Sequence, residues 1–446
     1  MLSGSSEHLV ERSLRSVWHP CTQMQHHESV PLVPLRSGHG AWLTDVHSRR
    51  YLDAISSWWV NLFGHANPHI NAALRQQLDT LEHAMLAGFT HEPVVALSEK
   101  LSALTGGVLG HCFYASDGAS AIEIALKMSH HAWRNAGQAS KQHFVCFQGG
   151  YHGETAGALS VTDVPLFRDA YAPLLRPAYF MPSPDERLAG PDESPEAPAQ
   201  RALHALQALL DKRHREISAV VVEPLVQCAS GMAMHGPDFL RQLRALCDQY
   251  QVHLIADEIA VGCGRTGTFF ACEQAGIWPD FVCLSKGISG GYLPLSLVMT
   301  RESIYQAFYD PAMTRGFLHS HSYTGNPLAC RAALATLELF ERKPVFANNR
   351  AIGERIWQGL QALVTHPQVH HLRQRGMIFA FDVALDDTAQ ANAFARRFAS
   401  TALQHELLLR PIGQTVYYML PYILSEAEAE LLTTRTRLVL DEVLAA

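Results

Sequence analysis

Short apolar runs alternate with amphipathic stretches between about residues 110 and 300. The runs predict β-strands at 111–115, 143–147, 219–222, 252–256 and 281–284. Apolar residues at helical spacing predict helices at 119–134, 237–250 and 329–341. This alternation is typical of an α/β fold in which a mostly parallel sheet carries helices on both faces. In such a sheet, ligand sites gather at the carboxyl ends of the strands.

The pattern changes on either side of this region. After about residue 330 it becomes helix, short strands and terminal helix, with strands predicted at 377–383, 407–409 and 416–420. The first 60 residues are irregular and aromatic-rich, as in an arm folded onto the body. We therefore expect an N-terminal arm at 1–65, a large cofactor-binding domain at 66–330 and a small α+β domain at 331–446. The Pro- and acid-rich stretch 183–200 is predicted to be a surface excursion of the large domain.

Composition excludes several classes of function. The 446 residues carry a net charge of −7 and no lysine/arginine-rich run, which argues against nucleic acid as a partner. No apolar run approaches the ~18 residues of a membrane span, and the N-terminus does not resemble a signal peptide. The nine cysteines are scattered without a Cys-x-x-Cys pair, which favours a reduced, cytoplasmic protein. The histidines lack the spacing of metal ligands, so no metal site is expected.

Two charged residues follow buried runs. Asp257 comes directly after the run 252–256, and Lys286 lies between the run 281–284 and a glycine cluster. Buried charges are costly unless they are paired or functional. A lysine and a carboxylate at strand ends suit pyridoxal phosphate, since the lysine binds the cofactor covalently and the carboxylate keeps its ring nitrogen protonated. Alternatively, both strands simply end in water.

Two turns add candidate cofactor contacts. Gly118 and Ala119 open a predicted helix after a strand, where free backbone N–H groups form a phosphate site. A capped helix without a ligand is the alternative there. Tyr151, flanked by glycines at another strand end, can stack on a flat heterocycle or can pack into the core from a loop.

The run Gly262–Gly267 matches G-x-G-x-x-G, the dinucleotide fingerprint. That fingerprint requires strand, glycines and helix in direct succession. Here the glycines come four residues after the strand end, and little helix follows them. A nicotinamide-dependent oxidoreductase therefore remains only as a remote alternative.

Five motifs in this order resemble the class III aminotransferases over nearly the whole chain. They are Gly150-Tyr-His-Gly153, Asp257-Glu258, Gly262-x-Gly-Arg-Thr-Gly267, Ser285-Lys286-Gly287 and Tyr323-Thr-Gly-Asn-Pro327. The resemblance implies the type I fold of pyridoxal-phosphate enzymes and pyridoxal 5'-phosphate as cofactor. It also implies small-molecule substrates and a homodimer with shared active sites.

The resemblance also assigns roles to residues. Lys286 would bind the cofactor covalently and move the proton, Asp257 would hold the ring nitrogen, and Tyr151 would stack on the ring. The phosphate would be bound by Gly118 and Ala119, joined by Ser322 from a partner subunit. The residues implied in substrate binding are Trp58, Trp59, Tyr151, Lys286, Ser320, Arg410 and Tyr417. Asp117 is an unusual neighbour for a phosphate, so we expect its side chain to point away.

Within the family, Ser56-Ser-Trp-Trp59, Glu223-Pro-Leu-Val-Gln227 and Arg410-Pro411 resemble the branch that acts in biotin synthesis. That branch would transfer an amino group to 8-amino-7-oxononanoate, with S-adenosylmethionine as donor and Arg410 on the acceptor's carboxylate. Cys21 follows His19-Pro20 where many members that use this donor have tyrosine, so lysine stays open as donor. Another class III enzyme acting on ω-amino acids or diamines, or a cofactor-free binding protein, are the remaining alternatives.

Overall fold

The computed structural model describes residues 6–28, 30 and 32–445, and a seven-stranded sheet forms its centre. Its strands, in spatial order, are His111–Ala115, Ser296–Thr300, Phe281–Leu284, His253–Asp257, Ile217–Val222, His143–Phe147 and Tyr179–Met181. All neighbours pair in parallel except at Ser296–Thr300, which is antiparallel to both of its neighbours. The predicted mostly parallel sheet is confirmed.

Besides short 3₁₀ helices, fourteen helical segments accompany the sheets in the described residues. They are Ser6–Ser16, Ser56–Trp59, Pro68–Leu78, Glu92–Leu104, Gly118–Asn135, Ala156–Ser160, Pro165–Arg168, Ala197–Arg213, Pro237–Gln249, Glu302–Gln306, Pro327–Arg342, Val345–Leu360, Thr388–Gln404 and Glu426–Ala445. The predicted strands and helices agree with these bounds, and with the strand bounds, to within two residues. The antiparallel strand Ser296–Thr300 and the edge strand Tyr179–Met181 of the central sheet were not predicted.

The central strands are mostly apolar because the sheet is buried on both faces. In the strand Ile217–Val222, Ala219 and Val221 pack in one apolar cluster, and Val220 and Val222 pack in the other. The helix Gly118–Asn135 covers the first of these faces. Side chains alternate between the faces of a strand, so a strand covered on both sides has few polar positions.

Three smaller sheets complete the fold. One contains Leu35–His39, Trp42–Asp45, Arg50–Asp53 and Leu407–Leu408, so the N-terminal segment, predicted to be irregular, forms three strands between residues 35 and 53. The other two contain Val369–Arg375, Ile378–Val383 and Thr415–Met419, and the short pair Val226–Gln227 with Ala233–Met234. The division into an arm and two domains stays a prediction.

A charged network joins the stretch 183–200 to the antiparallel sheet. Arg187 Nε donates to Asp185 Oδ2 at 2.9 Å, and its Nη1 donates to Asp382 Oδ2 at 3.1 Å. Arg373 Nη2 donates to Asp382 Oδ1 at 2.9 Å, and Thr415 Oγ1 donates to the same oxygen at 2.7 Å. Asp185 is buried, whereas residues 191–196 are exposed. The prediction of a surface excursion is therefore wrong for the first part of the stretch, because Asp185 and Arg187 form part of the contact with the C-terminal region.

Within the described part of the chain, no helix is both long enough and apolar enough to cross a bilayer. Over the same residues, no group of three or more His, Cys, Asp or Glu side chains is arranged to hold a metal ion.

Candidate active site

A cavity of about 320 Å³ lies at the carboxyl edge of the central sheet. Segments that follow the strand ends supply most of its wall, as expected for an open parallel sheet. The lining residues are Trp59, Asp117, Gly118, Ala119, Tyr151, His152, Gly153, Glu154, Glu223, Asp257, Ile259, Ala260 and Lys286. Six residues predicted from the sequence therefore lie together: Lys286, Asp257, Tyr151, Gly118, Ala119 and Trp59.

Lys286 enters this cavity from a left-handed backbone position, with φ of 45°. Burial lowers the pKa of its amine, and the nearby Asp257 opposes that shift. Its Nζ lies 4.9 Å from the centre of the Trp59 ring, and no ion pair holds it among the described residues. A buried amine that is pushed toward its neutral form can act as a nucleophile or as a base.

Asp257 is held in place by His152. The His152 Nδ1 lies 2.7 Å from Asp257 Oδ2, and both side chains are almost fully buried. The other carboxylate oxygen of Asp257 accepts from the Ile259 N–H at 3.1 Å. Burial alone would lower the pKa of His152, but its hydrogen bond to Asp257 and the charge of that carboxylate raise it. The pair thus places an oriented carboxylate at the end of its strand.

Glu223 fastens the loop that carries Tyr151. Its two oxygens accept from the Tyr151 N–H at 3.0 Å and the Cys228 N–H at 3.1 Å. Burial, with Asp257 nearby, raises the pKa of Glu223 to about 7, against the lowering effect of His152. The Tyr151 hydroxyl donates to Glu154 Oε1 at 2.8 Å, which fixes the tyrosine ring at the wall of the cavity.

The helix that begins at Gly118 offers an anion site. Asp117 caps this helix, since its carboxylate accepts from the Ser120 N–H at 2.9 Å and the Ser120 hydroxyl at 2.8 Å. Its side chain is therefore engaged with its own helix. Within the described residues, the N–H groups of Gly118 and Ala119 have no acceptor. A Cβ added at Gly153 would lie 2.5 Å from the Ala119 Cβ, so only glycine lets this loop approach the start of the helix so closely.

The tandem tryptophans lie on a left-handed turn and not on a strand. Ser56, Ser57, Trp58 and Trp59 all have positive φ, of 50°, 45°, 70° and 73°. Each such residue other than glycine costs roughly 1–2 kcal/mol, so strong contacts must hold the turn. Trp59 is 6% exposed and Trp58 is 43% exposed. Consecutive residues on this turn can both reach the site, which a strand would not allow.

Two more predicted residues, Arg410 and Tyr417, adjoin the tryptophans. The Arg410 guanidinium lies 4.7 Å from the centre of the Trp58 ring, and its Nη2 donates to the Cys21 carbonyl at 3.0 Å. Trp59 Nε1 donates to the Tyr417 hydroxyl at 3.1 Å. Burial raises the pKa of Tyr417 to about 12, so this phenol stays neutral. The turn therefore connects Lys286 with Arg410.

Ser320 and Ser322 do not line the cavity of their own chain. Both are exposed, on a segment where His319 Nδ1 lies 2.8 Å from Lys127 Nζ. His319 also lies close to His321, with their Nε2 atoms 3.1 Å apart. The single chain thus leaves these two serines outside the cavity that contains the other predicted residues.

Three ionisable residues of the cavity had no role predicted from the sequence. His152 and Glu154 belong to the Gly-Tyr-His-Gly-Glu motif, but only its tyrosine received a role. Glu223 directly follows a buried strand and Asp257 is the last residue of another, and this similar position was the available signal. Burial and hydrogen bonding, which the sequence does not display, distinguish these residues from ordinary loop residues.

Comparisons with known proteins agree with one another. The family model for aminotransferase class III matches residues 23–440. A Helicobacter pylori protein named adenosylmethionine-8-amino-7-oxononanoate aminotransferase is 45% identical over 443 residues, which is 98% of this chain and 98% of that protein. The crystal structure of the enzyme of that name from Methanocaldococcus jannaschii aligns with a TM-score of 0.91 and 32% identity, over 98% of this chain and 99% of that one. An amine transaminase from an uncultivated Pseudomonas species, in its PLP-bound form, aligns with a TM-score of 0.90 and 28% identity, over 96% and 99% of the two chains.

Proposed function

The chain belongs to the class III aminotransferases, and we propose that it transfers an amino group to the ketone of 8-amino-7-oxononanoate, giving 7,8-diaminononanoate for biotin synthesis. The observation that supports this acceptor is the turn Ser56–Trp59, which contacts Lys286 through Trp59 and Arg410 through Trp58. An oxo acid has a carbonyl at one end to meet the amine and a carboxylate at the other. The guanidinium of Arg410 is a planar fork that matches a carboxylate.

We propose pyridoxal phosphate as the cofactor, and the cavity fits it. The free N–H groups of Gly118 and Ala119 suit its phosphate, the Tyr151 ring suits its flat ring, and Lys286 suits its aldehyde. Asp257, oriented by His152, suits its ring nitrogen. Pyridoxal phosphate supplies a carbonyl that takes up the amino group and a ring that accepts electrons when a neighbouring C–H bond loses its proton.

The protein's own groups then have separate tasks. The Lys286 amine, whose pKa is lowered by burial, would take and return protons at its Nζ. The Asp257 carboxylate would keep a proton on the nitrogen that faces it, and His152 would keep that carboxylate oriented. The nearly buried Trp59 would exclude water above Lys286. Because one cavity serves both halves of the reaction, donor and acceptor would bind in turn.

We propose S-adenosylmethionine as donor, with lysine as the alternative. The Cys21 thiol lies near Glu154 and Arg410, and burial with the charge of Glu154 raises its pKa. Glu154 is exposed at the mouth of the cavity, where its carboxylate can face the positive charge that either donor carries. Stopped-flow mixing with each donor alone separates them: loss of cofactor colour with lysine and not with S-adenosylmethionine would reverse the assignment.

We also propose a homodimer in which Ser322 reaches the partner's phosphate site. Large apolar side chains near Ser322 are exposed in the single chain, among them Met313 at 74%, Leu318 at 72% and Tyr323 at 64%. Exposed apolar groups of this density mark association surfaces. Light scattering should therefore give twice the chain mass, and a fully active monomer would exclude the shared site.

A cytoplasmic location is proposed because all nine cysteines are unpaired and most are buried.

One experiment tests the acceptor directly. Purified protein is incubated with pyridoxal phosphate, 8-amino-7-oxononanoate and a panel of amino donors, and the diamine is measured by mass spectrometry. Formation of 7,8-diaminononanoate with at least one donor is expected. Conversion of ω-amino acids or simple diamines, without any reaction of the oxo acid, would assign the protein to another branch of the family.

A further inference from the structure

The left-handed turn Ser56–Trp59 is held at its beginning by Asp53. Asp53 Oδ1 accepts from the Ser57 N–H at 2.9 Å, and Oδ2 accepts from the Ser57 hydroxyl at 2.7 Å. The same Oδ2 lies 2.9 Å from His65 Nε2, and Asp53 is 1% exposed. Burying a carboxylate is costly, and the three donors that stabilise this one all belong to the protein itself. Its position beside the strained turn therefore requires an explanation.

The direction of the His65 bond follows from its other nitrogen. Asn61 Oδ1 accepts from the Gly64 N–H at 2.7 Å, which leaves Asn61 Nδ2 to donate to His65 Nδ1 at 3.2 Å. His65 Nδ1 is then an acceptor, so the ring hydrogen is on Nε2 and points at Asp53. All three contacts of Asp53 are therefore donors, and each favours a charged carboxylate over an amide.

The end of the turn is held by an opposite charge. Arg265, 1% exposed, donates from Nη2 to the Trp59 carbonyl at 3.0 Å and to the Asn61 carbonyl at 3.2 Å. Free N–H groups at the start of a helical turn attract an anion, and free carbonyls at its end attract a cation, whatever the hand of the turn. Asp53 and Arg265 match this polarity.

We propose that Asp53 is a positioning residue of the substrate site, which it serves by keeping Ser57 in the left-handed conformation that presents Trp58 and Trp59 to the acceptor. This inference rests on the proposed acceptor. Asp53 acts through the turn, since the ring of Trp58 contacts Arg410 and the ring of Trp59 contacts Lys286. When the turn relaxes, the carboxylate end of the acceptor site loses its shape while the cofactor contacts remain.

Asp53→Asn is the informative variant. Its amide carries one acceptor oxygen, so its NH₂ must face either the Ser57 N–H or the His65 Nε2–H, and either contact opposes two donors. The KM for the oxo acid should rise by about tenfold or more, while kcat changes by less than about threefold. The cofactor absorbance and its retention on dialysis should stay unchanged. The near-UV circular dichroism of the holoenzyme should lose the signal that Trp58→Phe also removes.

Asp45→Asn is the matched control. Asp45 is 0% exposed and accepts from the His47 N–H and the Arg49 N–H, both at 2.9 Å, but it does not contact the turn. Even if Asp45→Asn loses as much thermal stability as Asp53→Asn, its KM and its tryptophan signal should remain those of the wild type. If Asp53→Asn does not fold, Ser57→Ala removes only the hydroxyl donor and should shift the KM in the same direction by a smaller factor.

The outcomes separate the inference from the function on which it rests. An unchanged KM in Asp53→Asn, or a KM that rises equally in Asp45→Asn, overturns the positioning role. If the wild type does not convert the oxo acid, the proposed function fails, and the circular dichroism then decides alone. A tryptophan signal in Asp53→Asn identical to that of the wild type overturns the inference, and a loss specific to Asp53→Asn supports it.

Discussion

Replacing Arg410 by alanine tests the acceptor's orientation most directly. Arg410 is exposed, donates to the Cys21 carbonyl at 3.0 Å and stacks on Trp58 at 4.7 Å. No acidic side chain pairs with it among the described residues, so its fork is available to a substrate carboxylate. Arg410→Ala removes this cation without touching the cavity around Lys286.

The magnitude follows from three separate losses. A hydrogen-bonded pair of a guanidinium and a carboxylate contributes about 1.5–3 kcal/mol. Because Arg410 is exposed, we expect this pair to contribute about 2 kcal/mol, or a ~30-fold loss in kcat/KM when it is removed. The stacking on Trp58 and the bond to Cys21 add roughly 1 kcal/mol, which acts on any substrate. Arg410→Lys keeps the charge but not the fork, so its loss should be intermediate.

The assay compares two acceptors. Initial rates are measured with 8-amino-7-oxononanoate and with its methyl ester, which lacks the negative charge, for the wild type and for Arg410→Ala. The acid should lose about 150-fold in kcat/KM, from the ~30-fold and fivefold losses together, and the ester only about fivefold, since only the acid uses the guanidinium. Equal losses for the acid and the ester would refute the assignment, because Arg410 would then act only through Trp58 and Cys21.

Three further predictions concern the cavity and its support. Lys286→Ala should fold but lose all turnover, and peptide mapping after borohydride reduction should find the cofactor on Lys286 in the wild type and on no lysine in the variant. Asp257→Asn should retain cofactor yet slow both half-reactions by about 100-fold or more, since a neutral amide does not hold the ring proton; near-normal stopped-flow rates would contradict this. Burial raises the pKa of Glu258 from 4.5 to about 7, so the folded state binds this proton more tightly and stability falls by up to about 3 kcal/mol as pH rises from 4.5 through 7. The free energy of unfolding of Glu258→Gln minus that of the wild type should therefore increase between pH 5 and 8 in urea titrations, and a difference independent of pH would disprove the buried charge.

Five of the seven strands of the central sheet could be predicted because burial on both faces leaves a continuous apolar signal. Ser296–Thr300 was missed although it is equally buried, since only three apolar residues lie between its polar ends and a glycine-rich turn precedes it. Its antiparallel direction depends on its pairing with Phe281–Leu284 and His111–Ala115, partners that a local pattern does not identify.

The residues of the candidate site also divide into those that the sequence alone could place and those that it could not. Lys286, Asp257 and Gly118 follow apolar runs, so their common location at one sheet edge followed from the fold class. Trp58 precedes the sheet region in the sequence and Arg410 follows it, so only the resemblance predicted that they belong to one site. The conformation of the tryptophan turn depends on Arg265, about 200 residues away, and local propensity argues against it at each of its positions.

The left-handed turn also limits which amino acids can be exchanged in this pocket. Positive φ excludes β-branched side chains most strongly and tolerates glycine and asparagine. A mutant library that varies Trp58 or Trp59 toward valine, isoleucine or threonine should therefore be depleted of folded members, whereas glycine and asparagine should be retained. Backbone geometry, and not pocket volume alone, would then decide which new substrates directed evolution can reach from this scaffold.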